Sequence, residues 1–201
     1  MKLMSDVVSV SRTINAPAEK LWEMVSDITR MGEWSPETTS GAWIKGATGP
    51  AVGARFKGDN RNGSKAWSIV CEVTACERGE SFGFDAMAGP IRYANWRYDF
   101  EATSDGTVVT ESVSDNRGKI FKFVGAKVSG VSDRATHNTR TMTETLEALA
   151  LTGVTGAYPL DIDSDGHTDL VILRVGKNTI AKGGPDCTFS TMSFESAEKW
   201  T

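Results

Sequence analysis

The spacing of apolar residues changes once in the body of this chain, and that change limits what it can fold into. Between about residues 40 and 116 the apolar side chains recur at every second position, the period of a strand with one buried face. After Gly118 they recur about every 3.5 residues: Phe121, Val124, Val128, Val131, Ala135, Asn138, Met142, Leu146 and Leu149 fall on one stripe. A helix of roughly thirty residues is expected there, with Gly125 and Gly130 positioned to bend or break its first half. The alternating region is cut by turn clusters at Gly46–Pro50, Asp59–Gly63, Gly89-Pro90 and Ser104–Gly106. Strands are predicted near 40–45, 53–59, 65–77, 80–87, 91–103 and 106–116, with another over residues 6–14, where Val8, Val10 and Ile14 share a face. Pro17 suits a helix start and is followed by Ala18, Leu21, Trp22 and Val25 at helical spacing; a second short turn covers Ile28 to Trp34. One strand, two short helices, six strands and a long helix make an α+β pattern, not a βαβ one.

The 201 residues, 39% of them hydrophobic, suffice for one sizeable core with an appendage. The formal net charge of −4 gives no positive field to gather phosphates, so nucleic acid is not an expected partner. The charge is uneven: residues 1–150 carry 18 basic and 19 acidic side chains, residues 151–201 carry 4 and 7. No apolar run is long enough to span a membrane, and the first residues lack the apolar stretch of a secretory leader, so a cytoplasmic location is expected. Cys71 and Cys76, five apart on one predicted strand, point to opposite faces and are expected as free thiols.

The segments INAPAEKLWEMVSDITRMGEWSP, GARFKGDNRNGSKAW and RTMTETLEALA resemble the polyketide cyclase/dehydrase-like branch of the START-like (SRPBCC) superfamily, over residues 5–150. The resemblance implies a helix-grip fold: a curved antiparallel sheet of about seven strands around a long C-terminal helix, with an apolar cavity between them. It implies a START-like ligand-binding domain at 1–150 and no cofactor for it. The cavity so implied is bounded by the inner sheet face, the long helix and the loops near the short helices, and its expected lining is Trp34, Trp43, Trp67, Phe84, Trp96, Tyr98 and Phe100, with Val131, Asn138 and Met142 from the helix. Each aromatic is either ligand wall or plain core. Asn138 stands out as a polar residue in an apolar stripe; unpaired it would cost about 1–3 kcal/mol, so it must meet a backbone group, a water or a ligand.

Two functions follow for this domain: binding or transport of a hydrophobic or aromatic small molecule or lipid, or a cyclase/dehydratase reaction on a similar molecule. For the second, Glu111 shares the Val109/Val113 face and is the candidate catalytic base. Arg12, on the Val8/Val10 face, would be its anion clamp or its structural ion-pair partner. His137 lies beside the helix stripe and is expected to be solvated or half-exposed.

Residues 151–201 form a separate appendage. Asp161, Asp163, Asp165 and Asp169 surround Gly166 in the spacing D-x-D-x-D-G-x-x-D, ahead of the apolar strand Leu170–Leu173. Alternate carboxylates before a turn glycine can converge oxygens on a hard cation, so calcium is the candidate cofactor. Position twelve of an EF-hand would be a Glu; here it is Ile172. The segment 158–189 instead resembles one FG-GAP/VCBS-type repeat, and the resemblance implies Asp161, Asp163, Asp165 and Asp169 as ligands with the carbonyl of His167. A lone repeat leaves three origins open: the remnant of a longer protein, a fused segment, or a two-stranded flap. A calcium-dependent surface interaction module is the third function. The oligomeric state stays open.

Overall fold

Every second residue of the seven N-terminal strands turns to a common face, and in the computed structural model those faces join into one sheet. The structure describes residues 6–153, 157–160, 169–172, 178–183 and 189–194. The strands are β1 (Asp6–Ile14), β2 (Thr38–Ile44), β3 (Arg55–Asn62), β4 (Lys65–Glu77), β5 (Ser81–Ala88), β6 (Ile91–Thr103) and β7 (Gly106–Asp115). They pair antiparallel in the order β1-β7-β6-β5-β4-β3-β2, so the first strand closes onto the last and the rest follow as a meander. Two-residue turns join β3 to β4 (Asn62 opposite Lys65), β5 to β6 (Ala88 opposite Ile91) and β6 to β7 (Thr103 opposite Gly106). The register slips at Thr38/Ser40, Val73/Ala75 and Ala86/Met87. Such bulges bend and twist a strand, and here they curve the sheet around its contents.

Helix α1 (Ala18–Ser26) follows Pro17 and buries Leu21, Trp22, Met24 and Val25. The Trp22 indole N–H donates to the Ser81 carbonyl at 2.9 Å, which ties α1 to the start of β5. A 3₁₀ turn over Ile28–Glu33 comes next, with the Asp27 carboxylate accepting from the Thr29 N–H. Gly41 of β2 lies directly under the Ile28 carbonyl, where a Cβ would collide with backbone.

The thirty-residue helical stretch breaks at Gly130, one of the two glycines expected to bend or break it, into α2 (Lys119–Ser129) and α3 (Arg134–Gly153). Gly130 ends α2 with φ of 72°, a left-handed conformation in which its N–H reaches the Ala126 carbonyl at 2.8 Å. The break explains why the predicted stripe is not buried throughout. Met142, Leu146 and Leu149 of α3 are fully buried, whereas Val124, Val128 and Ala135 are exposed. Thr141 and Thr145 replace them on the inner face; their hydroxyls donate to the His137 and Thr141 carbonyls one turn back, so burial leaves neither unpaired. The result is the expected α+β helix-grip arrangement, with α3 as the gripped element. Cys71 is buried, Cys76 is half-buried, and both are free thiols.

The chain divides into two compact units, Met1–Leu149 and Ala150–Thr201. The second holds an antiparallel sheet in the order β11-β10-β9-β8, made of β8 (Ala157–Leu160), β9 (Asp169–Ile172), β10 (Asn178–Gly183) and β11 (Phe189–Phe194). The strand expected at Leu170–Leu173 is β9; the two-stranded flap is corrected to a four-stranded meander. Of the expected calcium ligands, Asp161, Asp163, Asp165 and His167 lie outside the described residues, and Asp169 opens β9. Among the described residues no helix is long and apolar enough to cross a membrane.

Candidate functional site

A cavity of about 470 Å³ lies in the first unit, between the concave face of the sheet and the C-terminal helices. Its volume is in the range of small-molecule sites. The alternation of β3 to β6 supplies an aromatic wall: Phe56, Trp67, Phe84, Trp96 and Tyr98. The rings pack edge to face, Phe56 against Phe84 at 5.1 Å and Trp43 against Phe56 at 5.7 Å between centroids. From the helices come Val124 and Val128 of α2, and Asn138, Thr141, Met142 and Thr145 of α3. The exposure of Val124 and Val128 has its counterpart here, because both border the cavity.

The expected lining residues thus divide. Trp67, Phe84, Trp96, Tyr98, Asn138 and Met142 line the cavity, and so does Glu111. Trp34, Trp43, Phe100 and Val131 are off its wall. Trp34 and Phe100 are core, 4% and 7% exposed, and the Arg30 guanidinium lies over the Trp34 ring. Trp43 sits behind Phe56, and Val131 faces a smaller space of about 300 Å³ beside Val8 and Val113. Period two tells which face a side chain takes, not how far the cavity runs along that face.

Serine, threonine, asparagine and tyrosine side chains interrupt the apolar wall, and four features of it carry charge or lack a partner. The first is Glu111 on β7, 3% exposed. Tyr98 stands opposite it in register and donates its phenolic proton to Glu111 Oε1 at 2.7 Å; Oε2 has no partner. Burial without a counter-charge pushes the Glu111 carboxyl up to about 8, against a smaller downward pull from the Tyr98 bond. Burial also raises the Tyr98 phenol well above its usual range, aided by the carboxyl beside it. The anticipated Arg12 partner is corrected: its guanidinium reaches Glu147 of α3 at 3.5 Å, at the surface.

The second polar group is Asn138, 4% exposed, whose Oδ1 has no partner. The third is the pair Asp115–Arg117, joined by Nε and Nη2 at 2.9 and 2.8 Å. Burial alone would raise the Asp115 carboxyl; the Arg117 bonds and charge outweigh it and hold the group below its usual range. The fourth is Glu37, which receives Arg134 at 3.1 Å and His137 Nε2 at 2.7 Å. His137 is therefore neither solvated nor half-exposed: 12% of its side chain is accessible. The Arg134 guanidinium also lies 5.9 Å from the Trp67 ring centre.

The Tyr98–Glu111 pair escaped the sequence reading, yet its signal was present. The turn Ser104-Asp105 places Thr103 opposite Gly106, and counting back along both strands brings Tyr98 opposite Glu111. Glu37 with Arg134 left no comparable trace, since 97 residues separate them. Among the described residues, no group of three or more His, Cys, Asp or Glu side chains could hold a metal ion. Chemically, the wall offers broad apolar contact, one buried carboxyl held by a phenol, and one amide oxygen without a donor.

Comparison with known proteins agrees with this geometry. No curated protein matches the chain at a significant level. Among solved structures, the Polyketide_cyc-like protein Cgl2372 from Corynebacterium glutamicum is 32% identical, covering 74% of this chain and 91% of its own, with a TM-score of 0.52. Protein MLL2253 from Mesorhizobium loti shares the fold at 21% identity, over 72% of this chain and 93% of its own, with a TM-score of 0.52. The di-domain ARO/CYC StfQ of the steffimycin biosynthetic pathway shares it at 12% identity, over 72% of this chain and 50% of its own, with a TM-score of 0.54. A family model described as polyketide cyclase / dehydrase and lipid transport matches residues 5–150, and the chain belongs to that family.

Proposed function

We propose that this protein binds and carries a hydrophobic or aromatic small molecule in the cavity of its first unit. The observation that carries the reading is the cavity itself: about 470 Å³ walled by Trp67, Phe84, Trp96 and Met142, too large and too apolar to be filled by a few waters. The family description, which includes lipid transport, supports it. Native mass spectrometry of the purified protein tests it. A co-purifying apolar molecule that is released unchanged, and that is still bound by Glu111→Gln, is the expected result. Turnover abolished by that substitution would overturn it.

A cyclase or dehydratase reaction is the second reading, and one observation favours it. A carboxyl titrating at about 8 inside an apolar site can pass a proton near neutral pH. At pH 7 its protonated form predominates, so Glu111 would start as acid and not as the base expected from the sequence. The same family description covers cyclases and dehydrases, and StfQ, which shares the fold, is a di-domain ARO/CYC.

Calcium at the Asp161, Asp163, Asp165 and Asp169 spacing, with the His167 carbonyl, is proposed for the second unit, together with its use as an interaction surface. A cytoplasmic setting is the location that the free thiols of Cys71 and Cys76 support.

A further inference from the structure

Two buried side-chain polar atoms among the described residues have no hydrogen-bond partner, Glu111 Oε2 and Asn138 Oδ1, and both belong to side chains lining the same cavity. Either orphan alone costs stability. The two side chains border one chamber, from β7 and from α3, Asn138 standing also on the wall of the smaller space, and no protein group meets either orphan atom. We infer that they bind the polar groups of an uncharged ligand: an acceptor such as a ketone carbonyl at Glu111, and a hydroxyl donor at Asn138. This rests on the reading of the cavity as a ligand site and adds the chemistry of what enters it.

The hydrogen-bond inventory sets the assignment. Tyr98 spends its proton on Glu111 Oε1, so a protonated Glu111 keeps one O–H at Oε2 with nothing to receive it. An amide oxygen can only accept, so Asn138 Oδ1 calls for a donor. The ligand is uncharged because the cavity has no spare counter-ion. Arg117 is held by Asp115 and Arg134 by Glu37. The remaining titratable groups of the wall are Tyr98, bonded to Glu111; Tyr93 of β6, raised by burial; and Cys71 of β4, pushed up to about 12 by burial and by Asp85. On the other side of Glu111, β1 presents Val10 in register, and α3 presents Asn138, Thr141, Met142 and Thr145 to the cavity, none of which titrates.

The test is equilibrium dialysis of the full-length protein against five compounds that share one ring system: 2-methylnaphthalene, 2-naphthol, 2-acetonaphthone, 2-naphthoate and naphthalen-2-ylmethylamine. The naphthol and the ketone are expected to bind about tenfold more tightly than the methyl compound, and the two ions more weakly than either. Asn138→Leu should remove the advantage of the naphthol and leave that of the ketone. Affinity for the ketone, which does not itself titrate, should fall about tenfold per unit once the pH passes about 8, and should be flat in Glu111→Gln, whose amide still donates. Equal binding of the methyl compound, naphthol and ketone overturns the inference while leaving the cavity reading in place. Tightest binding of either ion, or the same pH response in Glu111→Gln, also overturns it. If none of the five binds, the cavity reading itself fails and takes this one with it.

Discussion

Glu111 couples proton binding to folding, and the sign follows from its environment. In the unfolded chain the carboxyl titrates near 4.5; in the fold, burial pushes it up to about 8. Below pH 4.5 both states are protonated and the ionisation of Glu111 takes nothing from stability. Between about 4.5 and 8 the unfolded chain ionises while the folded one keeps its proton, so stability falls as pH rises; above 8 both are ionised and the loss is complete. Urea midpoints of wild type are therefore expected to decline across this window relative to Glu111→Gln. The variant should be more stable at pH 8 by a few kcal/mol. Parallel pH profiles for the two proteins would refute the assignment. Asn138 gives the complementary prediction, since its oxygen is buried without a donor. Asn138→Leu should raise the stability of the ligand-free protein by about 1–2 kcal/mol in the same denaturation experiment; a loss of stability would mean the amide is satisfied. The sequence showed Asn138 as the odd member of its stripe. It did not show that Thr141 and Thr145 share the buried face, because threonine hydroxyls satisfied by their own helix read as polar when only composition is seen.

At the level of elements, the strands were almost wholly legible, because two-residue turns and alternation fix both their ends and their faces. The helical end was legible only in part: Gly130 marked a place for a break, but the apolar pattern did not show that one occurs. A stripe of 3.5-residue period runs unbroken through Gly130, yet the backbone there turns left-handed and starts a new helix axis. Only glycine takes that conformation without cost, so Gly130→Ala should destabilise the protein by about 1–2 kcal/mol. Neighbouring atoms leave room for the methyl group, the nearest being Lys65 Cγ at 3.4 Å, so the effect isolates backbone conformation from packing. Thermal unfolding measures it, and Gly130→Asn, which tolerates this region better, should fall between the two. An alanine variant as stable as wild type would mean that α2 and α3 can join. The break also matters for access to the cavity. It frees Val124 and Val128 of α2 from the line of Met142 and Leu146, and they border the cavity while remaining exposed.

Across the whole molecule, the two units differ in kinship and in charge. The family match spans residues 5–150, and the second unit, Ala150–Thr201, is a four-stranded meander with an acidic excess. Its sheet was only partly legible: β9 is an apolar run, whereas β10, Asn178-Thr-Ile-Ala-Lys-Gly183, mixes small and polar residues that give alternation little contrast. The aspartates at 161, 163 and 165 fall between β8 and β9, with Asp169 at the first position of β9 and opposite Leu160. Carboxylates at that spacing repel one another unless a cation neutralises them, so the cation and not the chain should supply the favourable energy. Calorimetric titration of the full chain with calcium is expected to give a saturable binding heat that Asp163→Ala abolishes. Dialysis with 2-naphthol should be the same with and without calcium, since the cavity is built from residues of the first unit alone. Heat of binding retained in Asp163→Ala would place the cation elsewhere. A calcium-dependent change in naphthol affinity would show that the two units act as one.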